Sequence, residues 1–447
     1  MLFHLSTFIL YFALIHIKSF DRRYIFCYFV INDSRMVNNG NIKCKKSALQ
    51  LQCEPMECVR IGFVGLGVRA KRAVHRMMHI EGCRITALCD LVEENIDDAK
   101  GIIAGEGGNI PASYCGIEGW KQLCRQPDVD LVYICTDWAS HADIAVYAMQ
   151  QGKHVATEVP AATTVADCWR LVDTAEETQR HCIMLENCCY DEFELCVLNM
   201  AQHGMLGEII HAEGSYLHDL RERIATNDDG GRKWSNWQVE FMNSHNGNPY
   251  PTHGLGPIAL AMNIHRGDKM KSIVSVSSKR IEGADAESLS GTMNSSIITT
   301  ERGHTILVQH CMTLPRPYSR SFLVSGTEGF AQKYPVPAFA FAPDSDNALM
   351  GDECTRLLEQ YRHPFAAMYK QRGEELCGRR WIDYAMDCRL IHCLRNGLPL
   401  DMNVYDAALW SCLVELTDIS ARSGGVPVEI PDFTRGKECP ENRKIFS

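Results

Sequence analysis

The chain is expected to be of the α/β class: a doubly wound parallel sheet at its N-terminal side, then an α+β domain with an open, largely antiparallel sheet. Three observations carry this expectation. From Cys58 to about residue 190, short and nearly continuous apolar runs alternate with helix-like stretches, the pattern of strands covered on both faces. After "HGMLGEI" (203–209), the strands lengthen and alternate in polarity, as in a sheet with one open face. Between the first apolar run and the first helix-like stretch lies a glycine-containing turn of the kind that holds phosphates.

The length of 447 residues accommodates two or three domains. We expect an N-terminal extension over 1–55, a dinucleotide-binding domain over 56–200, and a substrate-binding α+β domain with late helices over 201–447. Hydrophobic residues at 46% and charged residues at 22% match an ordinary globular protein. A net charge of -10 without a basic tract argues against nucleic acid as a partner.

The extension begins "MLFHLSTFILYFALIHIK", which resembles an export signal or anchor but lacks a basic start and a small-x-small cleavage site. Its apolar parts, with "YIFCYFVI" behind them, are short for a membrane helix, so no stable membrane insertion of the catalytic part is expected. Two readings stand: an export signal, giving a periplasmic protein, or an extension that is either poorly ordered or lies ahead of a true start at Met36 or Met56. The 21 cysteines are scattered, with no CxxC pair, which favours a reducing, cytoplasmic setting. Cys188 and Cys189 read as small apolar residues of a buried run.

In chain order, the first-half strands are "CVRIGFVGLG", "RITALCD" (84–90), "DLVYICT" (130–136), "HVATEVP" (154–160) and "HCIMLENCC" (181–189), with helices such as "AKRAVHRMMH" and "ADIAVYAMQQG" between them. The second-half strands are "EIIHAEGSYLHDL", "KSIVSVSSKR", "GTMNSSIITTE" and "TILVQHCMTL", interrupted by a polar, aromatic insertion at 221–257. Two late helices, "WIDYAMDCRLIHCLRNG" and "VYDAALWSCLVELTDISARSGG", end in helix-stop glycines.

The turn reads Gly65-x-Gly67-x-x-Ala70, with Val68 and Arg69 inside it, and Asp90 closes the second strand about twenty residues on. Gly65 permits the tight turn, Gly67 admits a pyrophosphate, and Ala70 lets helix and strand pack closely. This identifies the first part as Rossmann-type. Asp90 would bind ribose hydroxyls and repel a 2′-phosphate, which favours NAD over NADP, whereas Arg69 offers a possible phosphate partner. Ligands sit outside the carboxyl ends of such strands. There "TDWASH" supplies Trp138 and His141, "TEVPAA" supplies Glu158, and "ENCCYD" supplies Asn187.

In the insertion, "NPYPTHGLGP" (248–257) holds Tyr250 and His253 among three prolines. Proline fixes φ and removes a donor, so the expectation is a stiff turn and not a helix interior or a central strand. Tyr250 and His253 are either acid–base groups or parts of a rigid, packed turn. Trp234 and Trp237 are either sugar platforms or ordinary packing.

These strand ends, followed by "GMLGEI", resemble the Gfo/Idh/MocA oxidoreductase family. Its members typically carry Glu-Lys-Pro at one strand end, with the lysine assisting hydride transfer; here the triplet is Glu158-Val159-Pro160. That departure, with "LENCCYD", "GNPYPTHGLGP", "LPRPYSR" and "CLRNGLPLDMNVYDAALWS", resembles glycoside hydrolase family 109, the NAD-dependent α-N-acetylgalactosaminidases, over about residues 58–435. The resemblance implies NAD contacts at Arg69, Asp90, Trp138, His141, Glu158, Val159 and Asn187. It implies glycoside contacts at Tyr216, Arg232, Tyr250, His253 and Tyr318, and a possible homodimer.

It also implies a redox-neutral hydrolysis: oxidation at C3 of the sugar, loss of the C2 proton, elimination at C1, addition of water, and return of the hydride. NAD would then be tightly bound and recycled. Such enzymes are an exception to the two-carboxylate scheme. His253, Tyr250 and Tyr318 are the candidate catalytic residues. His253 is expected to titrate near neutrality, and the tyrosines to act as donors, or as bases if a neighbour lowers their pKa. The scheme demands no metal. The alternative is an NAD-dependent sugar or polyol dehydrogenase, against which the absent lysine counts.

Overall fold

The computed structural model describes residues 46–224, 235–280 and 292–437. The first sheet contains β1 (Val59–Val64), β2 (Cys83–Asp90), β3 (Ala112–Cys115), β4 (Leu131–Ile134), β5 (His154–Thr157) and β6 (Cys182–Met184). Its order is β3-β2-β1-β4-β5-β6, all parallel. β4 and β5 are buried at every position, which is why they read as unbroken apolar runs. β3 was not expected from the sequence; it is a largely exposed edge strand and carries no apolar signature. The expected strand at 181–189 stops at Met184, and the chain turns there into a short 3₁₀ segment, Asn187–Tyr190.

The crossovers are α1 (Val68–Met77), α2 (Glu93–Gly105), α3 (Gly119–Cys124), α4 (His141–Gln150) and α5 (Val165–Thr178). The strand order reverses between β1 and β4, so the crevice for a ligand opens at their carboxyl ends.

After α6 (Glu192–Gln202) and β7 (Ile209–Leu217), the insertion forms α7 (Asn236–Asn243) and α8 (Thr252–Ala261). The second sheet continues with β8 (Met270–Ser277), β9 (Asn294–Thr300), β10 (Thr305–Cys311), β11 (Ser319–Gly326), β12 (Gly329–Gln332) and β13 (Ala338–Phe341). α9 (Asp352–Gln360), α10 (Pro364–Cys377), α11 (Trp381–Arg395), α12 (Val404–Arg422) and β14 (Val428–Glu429) complete the described chain. The order is β13-β12-β11-β7-β10-β9-β8-β14. It is antiparallel except for β7 and β10, which run parallel from His211↔Thr305 to Leu217↔Cys311. Alternating burial along β9 and β10 marks one packed face and one open face.

The segment 248–257 corrects the sequence reading. Its second half is helical: α8 starts at Thr252, takes Pro251 as its N-cap, and contains Pro257. Pro257 forfeits one intrahelical bond, yet almost every residue of α8 is buried, and that packing outweighs the local loss. The helix sits directly on β7. A Cβ at Gly254 would lie 2.3 Å from the Ser215 backbone nitrogen, and one at Gly214 would lie 2.1 Å from the Gly254 carbonyl oxygen. Only glycines permit this approach, which brings His253 beside Tyr216 with ring centroids 5.7 Å apart.

The late helices return to the first sheet. α11 packs on α1 and β1, and α12 packs on α5, β6 and β8. Within the expected extension, Ala48, Leu49 and Leu51 are buried in the main core, and the Ala48 backbone N–H donates to the Tyr405 hydroxyl. Residues 1–45 lie outside the described residues, as do the two readings offered for them. No helix among the described residues is long and apolar enough to cross a membrane.

Candidate active site

A cavity of about 1050 Å³ opens at the carboxyl ends of β1 and β4 and reaches the insertion and β7. Its lining includes every residue expected on the nucleotide side: Gly65, Gly67, Val68, Arg69, Asp90, Trp138, His141, Glu158, Val159 and Asn187. Tyr216, Tyr250 and His253 line it too.

Gly65 has φ +84, and a Cβ there would lie 2.7 Å from the Cys135 carbonyl oxygen. Gly67 differs: a Cβ there would meet nothing within 4 Å, so open space remains at the start of α1, of the kind a pyrophosphate needs. One Asp90 oxygen accepts the Leu66 N–H at 2.6 Å; the other accepts the Val92 N–H at 2.9 Å and the Asn95 amide at 3.1 Å. The carboxylate is thereby held at the cavity edge. These residues fit a dinucleotide.

Arg69 is committed elsewhere than to a 2′-phosphate. Its Nε donates to Glu158 at 2.6 Å, and its two Nη atoms donate to Asp383 at 3.1 and 3.2 Å. Burial works against its charge, but Glu158 and Asp383 prevail and hold its pKa well above the ordinary value. Asp383, on α11, also accepts the Asn187 amide at 2.6 Å. His141 is fully buried and donates Nδ1–H to the Pro160 carbonyl at 2.8 Å, joining the loops that follow β4 and β5. Burial lowers its pKa.

On the other wall, Trp138 stacks on Tyr250 at 5.6 Å and meets Trp237 and Phe241 edge-on. Trp237 therefore packs against Trp138 while lining the cavity; Trp234 and Arg232 lie outside the described residues. The Tyr250 hydroxyl is 3.1 Å from His253 Nε2, and His253 Nδ1 is 2.7 Å from Glu186 Oε1. Glu186 is fully buried. Tyr216 lies edge-on to Tyr250, and Tyr318, 39% exposed, lies beyond it, edge-on to Tyr216 at 6.1 Å. Tyr318 thus stands one ring removed from the Tyr250–His253 pair.

Two sequence expectations change. His253 does not titrate near neutrality. Burial alone would strip its proton, but Cys188 and Glu186 beside it outweigh burial and raise its pKa to about 10. The tyrosines are not poised as bases: burial pushes Tyr250 and Tyr318 well up, and Tyr216 to about 12. At neutral pH the set is an imidazolium held by Glu186, donating Nε2–H to a neutral phenol.

The raised pKa has a consequence for stability. His253 contributes fully below its ordinary value of 6.5, and the contribution is lost as pH rises through about 10. The thermal midpoint of the wild type should fall more steeply across that window than that of His253→Gln. Parallel slopes would show that the ion pair does not form.

Sequence reasoning missed Glu186, Asp383 and Arg320. Glu186 precedes Asn187 at the same strand end, and position alone marked it. Asp383 and Asp387 are four apart in the first half of a largely buried helix, a spacing that puts both carboxylates on one face. Arg320 donates to Cys188 Sγ at 3.1 Å and pairs with Asp191 and Glu194, so Cys188 is no inert apolar filler.

A nucleotide cradle on a parallel sheet, facing side chains of a second domain built on an open sheet, is the build of the NAD-binding oxidoreductases. Residues 59–186 match the family model described as oxidoreductase family, NAD-binding Rossmann fold. Among solved structures, levoglucosan dehydrogenase in complex with NADH shares the fold, with a TM-score of 0.64 at 16% identity over 83% of this chain and 99% of that one. An NAD-binding oxidoreductase from Klebsiella pneumoniae gives a TM-score of 0.65 at 14% identity over 84% and 100% of the two chains.

The second half narrows the class. Residues 190–439 match the glycosyl hydrolase 109 C-terminal domain. The chain is 52% identical over 406 residues to glycosyl hydrolase family 109 protein 2 of Phocaeicola vulgatus, covering 88% of this chain and 98% of that protein. It is 49% identical over 411 residues to the alpha-N-acetylgalactosaminidase of Bacteroides fragilis, covering 88% and 97%. The chain belongs to glycosyl hydrolase family 109: it is a glycoside hydrolase, and its cofactor is NAD.

Given that cofactor, Asp90→Ala should weaken NAD binding by about 10–100-fold and narrow the preference over NADP. Calorimetric titration of each cofactor into stripped protein measures both. Unchanged NAD affinity would remove Asp90 from the ribose site.

Proposed function

We propose that the chain hydrolyses terminal α-linked N-acetylgalactosamine without net consumption of NAD. The observation that carries this reading is the Glu186–His253–Tyr250 relay, which opens on the same cavity as the nucleotide turn. Valine at position 159, where dehydrogenase relatives typically carry lysine, supports it, as does the identity to a protein named alpha-N-acetylgalactosaminidase.

When bound, NAD supplies a reversible hydride acceptor for C3 of the sugar, which makes the neighbouring C2 proton acidic. The protons of the C3 hydroxyl and of C2 leave to water in the cavity and return from it as the cycle reverses; the side chains of the chain handle the proton at C1. Tyr250, its oxygen engaged by His253 Nε2–H, gives its own proton to the leaving oxygen at C1, and His253 replenishes it. Glu186 keeps the imidazole charged and correctly turned. When water adds, the same groups run in reverse and take its proton, so the relay ends as it began. Tyr216 and Tyr318 are the sugar contacts on this wall, and Trp138 fixes the Tyr250 ring from behind.

Purified protein should release p-nitrophenol from p-nitrophenyl α-N-acetylgalactosaminide with no added NAD and no net NADH. Stoichiometric NADH from a free sugar, with no release across a panel of α- and β-glycosides, would overturn the reading in favour of a dehydrogenase.

A further inference from the structure

We propose that His75, His79 and Glu106 form a binding site for a divalent transition-metal ion of the zinc class, separate from the active-site cavity. His75 lies in the last turn of α1, and His79 lies in the turn that follows, its N–H donating to the Arg76 carbonyl at 3.0 Å. The spacing of four brings both imidazoles to one side, with ring centroids 4.9 Å apart. Glu106 is the residue after the end of α2.

His75 Nε2 stands 3.3 Å from Glu106 Oε1, and His79 Nε2 stands 3.3 Å from Oε2. The potential ligand atoms of the three residues all lie within 4.8 Å of one another. A tetrahedral zinc ion with bonds of about 2.0–2.1 Å places neighbouring ligand atoms about 3.3 Å apart. His79 Nε2 is itself buried and makes no hydrogen bond, although a carboxylate faces it. A lone pair directed at a shared ion accounts for that arrangement.

The carboxyl ends of α1 and α2 meet here, and their partial negative charge adds to the attraction for a cation. Two imidazoles and a carboxylate are a zinc-type donor set with one position left for water. The side chains are 23–38% exposed, so an ion can enter from solvent. A second cluster, Glu186–Cys188–His253, has similar spacing. There, however, His253 holds a proton, and the Arg320 guanidinium lies 3.1 Å from the sulfur, which opposes another cation.

The site lies at the opposite end of α1 from the phosphate turn. An ion there would tie α1 to α2 without touching the sugar. Untagged full-length protein, kept reduced, should be titrated with ZnCl₂ by calorimetry and with Co²⁺ by visible absorption, beside His75→Ala/His79→Ala and Glu106→Gln. Retained NAD content checks that the variants are folded. The wild type should take up one ion more than the double variant, show a tetrahedral Co²⁺ spectrum that the double variant lacks, gain thermal stability with zinc, and keep its glycosidase rate. Glu106→Gln should bind at least tenfold more weakly. Equal uptake by wild type and double variant, or zinc inhibition that persists in the double variant, would overturn the proposal; the latter would place the ion at Glu186–Cys188–His253.

Discussion

His253→Ala should lower turnover by about 10²–10⁴-fold while the protein still carries NAD. The substitution removes the link between Glu186 and the Tyr250 hydroxyl, and it touches none of the contacts around Gly67 or Asp90. It also leaves the fully buried Glu186 carboxylate without its counter-charge, so stability should fall as well, by about 3–5 kcal/mol. The two effects separate in Glu186→Gln/His253→Ala, which should recover stability but not rate. Native mass spectrometry reads the cofactor, and p-nitrophenol release reads the rate. Full activity in His253→Ala would return this segment to the role of a packed helix start.

The second large effect is expected at Asp383. This carboxylate is 1% exposed, accepts both Arg69 Nη donors and the Asn187 amide, and lies 3.8 Å from Arg76. Burial opposes its charge, but Arg69 and Arg76 hold its pKa below the usual carboxylate range. Asp383→Ala leaves the buried Arg76 and the half-buried Arg69 with one fewer anion beside them. It should cost about 3–5 kcal/mol in urea unfolding. It should also weaken NAD, because Arg69 and Asn187 lose the group that orients them toward the cavity. Unchanged stability with unchanged cofactor affinity would show that Glu158 and Asp387 suffice.

The contrast between Asp90 and Asp383 shows what a sequence can disclose. Asp90 stands at a fixed distance from a glycine turn within one βαβ unit, and local geometry alone puts it at the edge of the cavity beside that turn. Asp383 holds Arg69 and Asn187 at the wall of that cavity from far along the chain, by tertiary packing that no local pattern encodes. Strands β1, β4 and β5 were legible because both of their faces are buried; edge strand β3 was not, because its side chains face water. The Pro-rich segment misled for a related reason. Proline argues correctly against an isolated helix, but α8 is held by burial against β7 through Gly214 and Gly254. Likewise, the spacing of Tyr250 and His253 marked a pair, whereas the buried Glu186 that sets its charge was beyond the reach of spacing.

The return of α11 to the first sheet bears on how the protein is made. Arg76, buried at the heart of the nucleotide-binding half, donates to Asp387 at 2.7 Å, and Tyr133 of β4 donates to the same carboxylate. Both donors emerge from the ribosome long before their acceptor does. A nascent chain ending near residue 200 therefore exposes the groove of α1 and β1 and carries the Arg76 charge without the carboxylate that neutralises it. The cofactor cradle becomes a finished object only late in synthesis, and the half-made chain exposes the surface that α11 later covers.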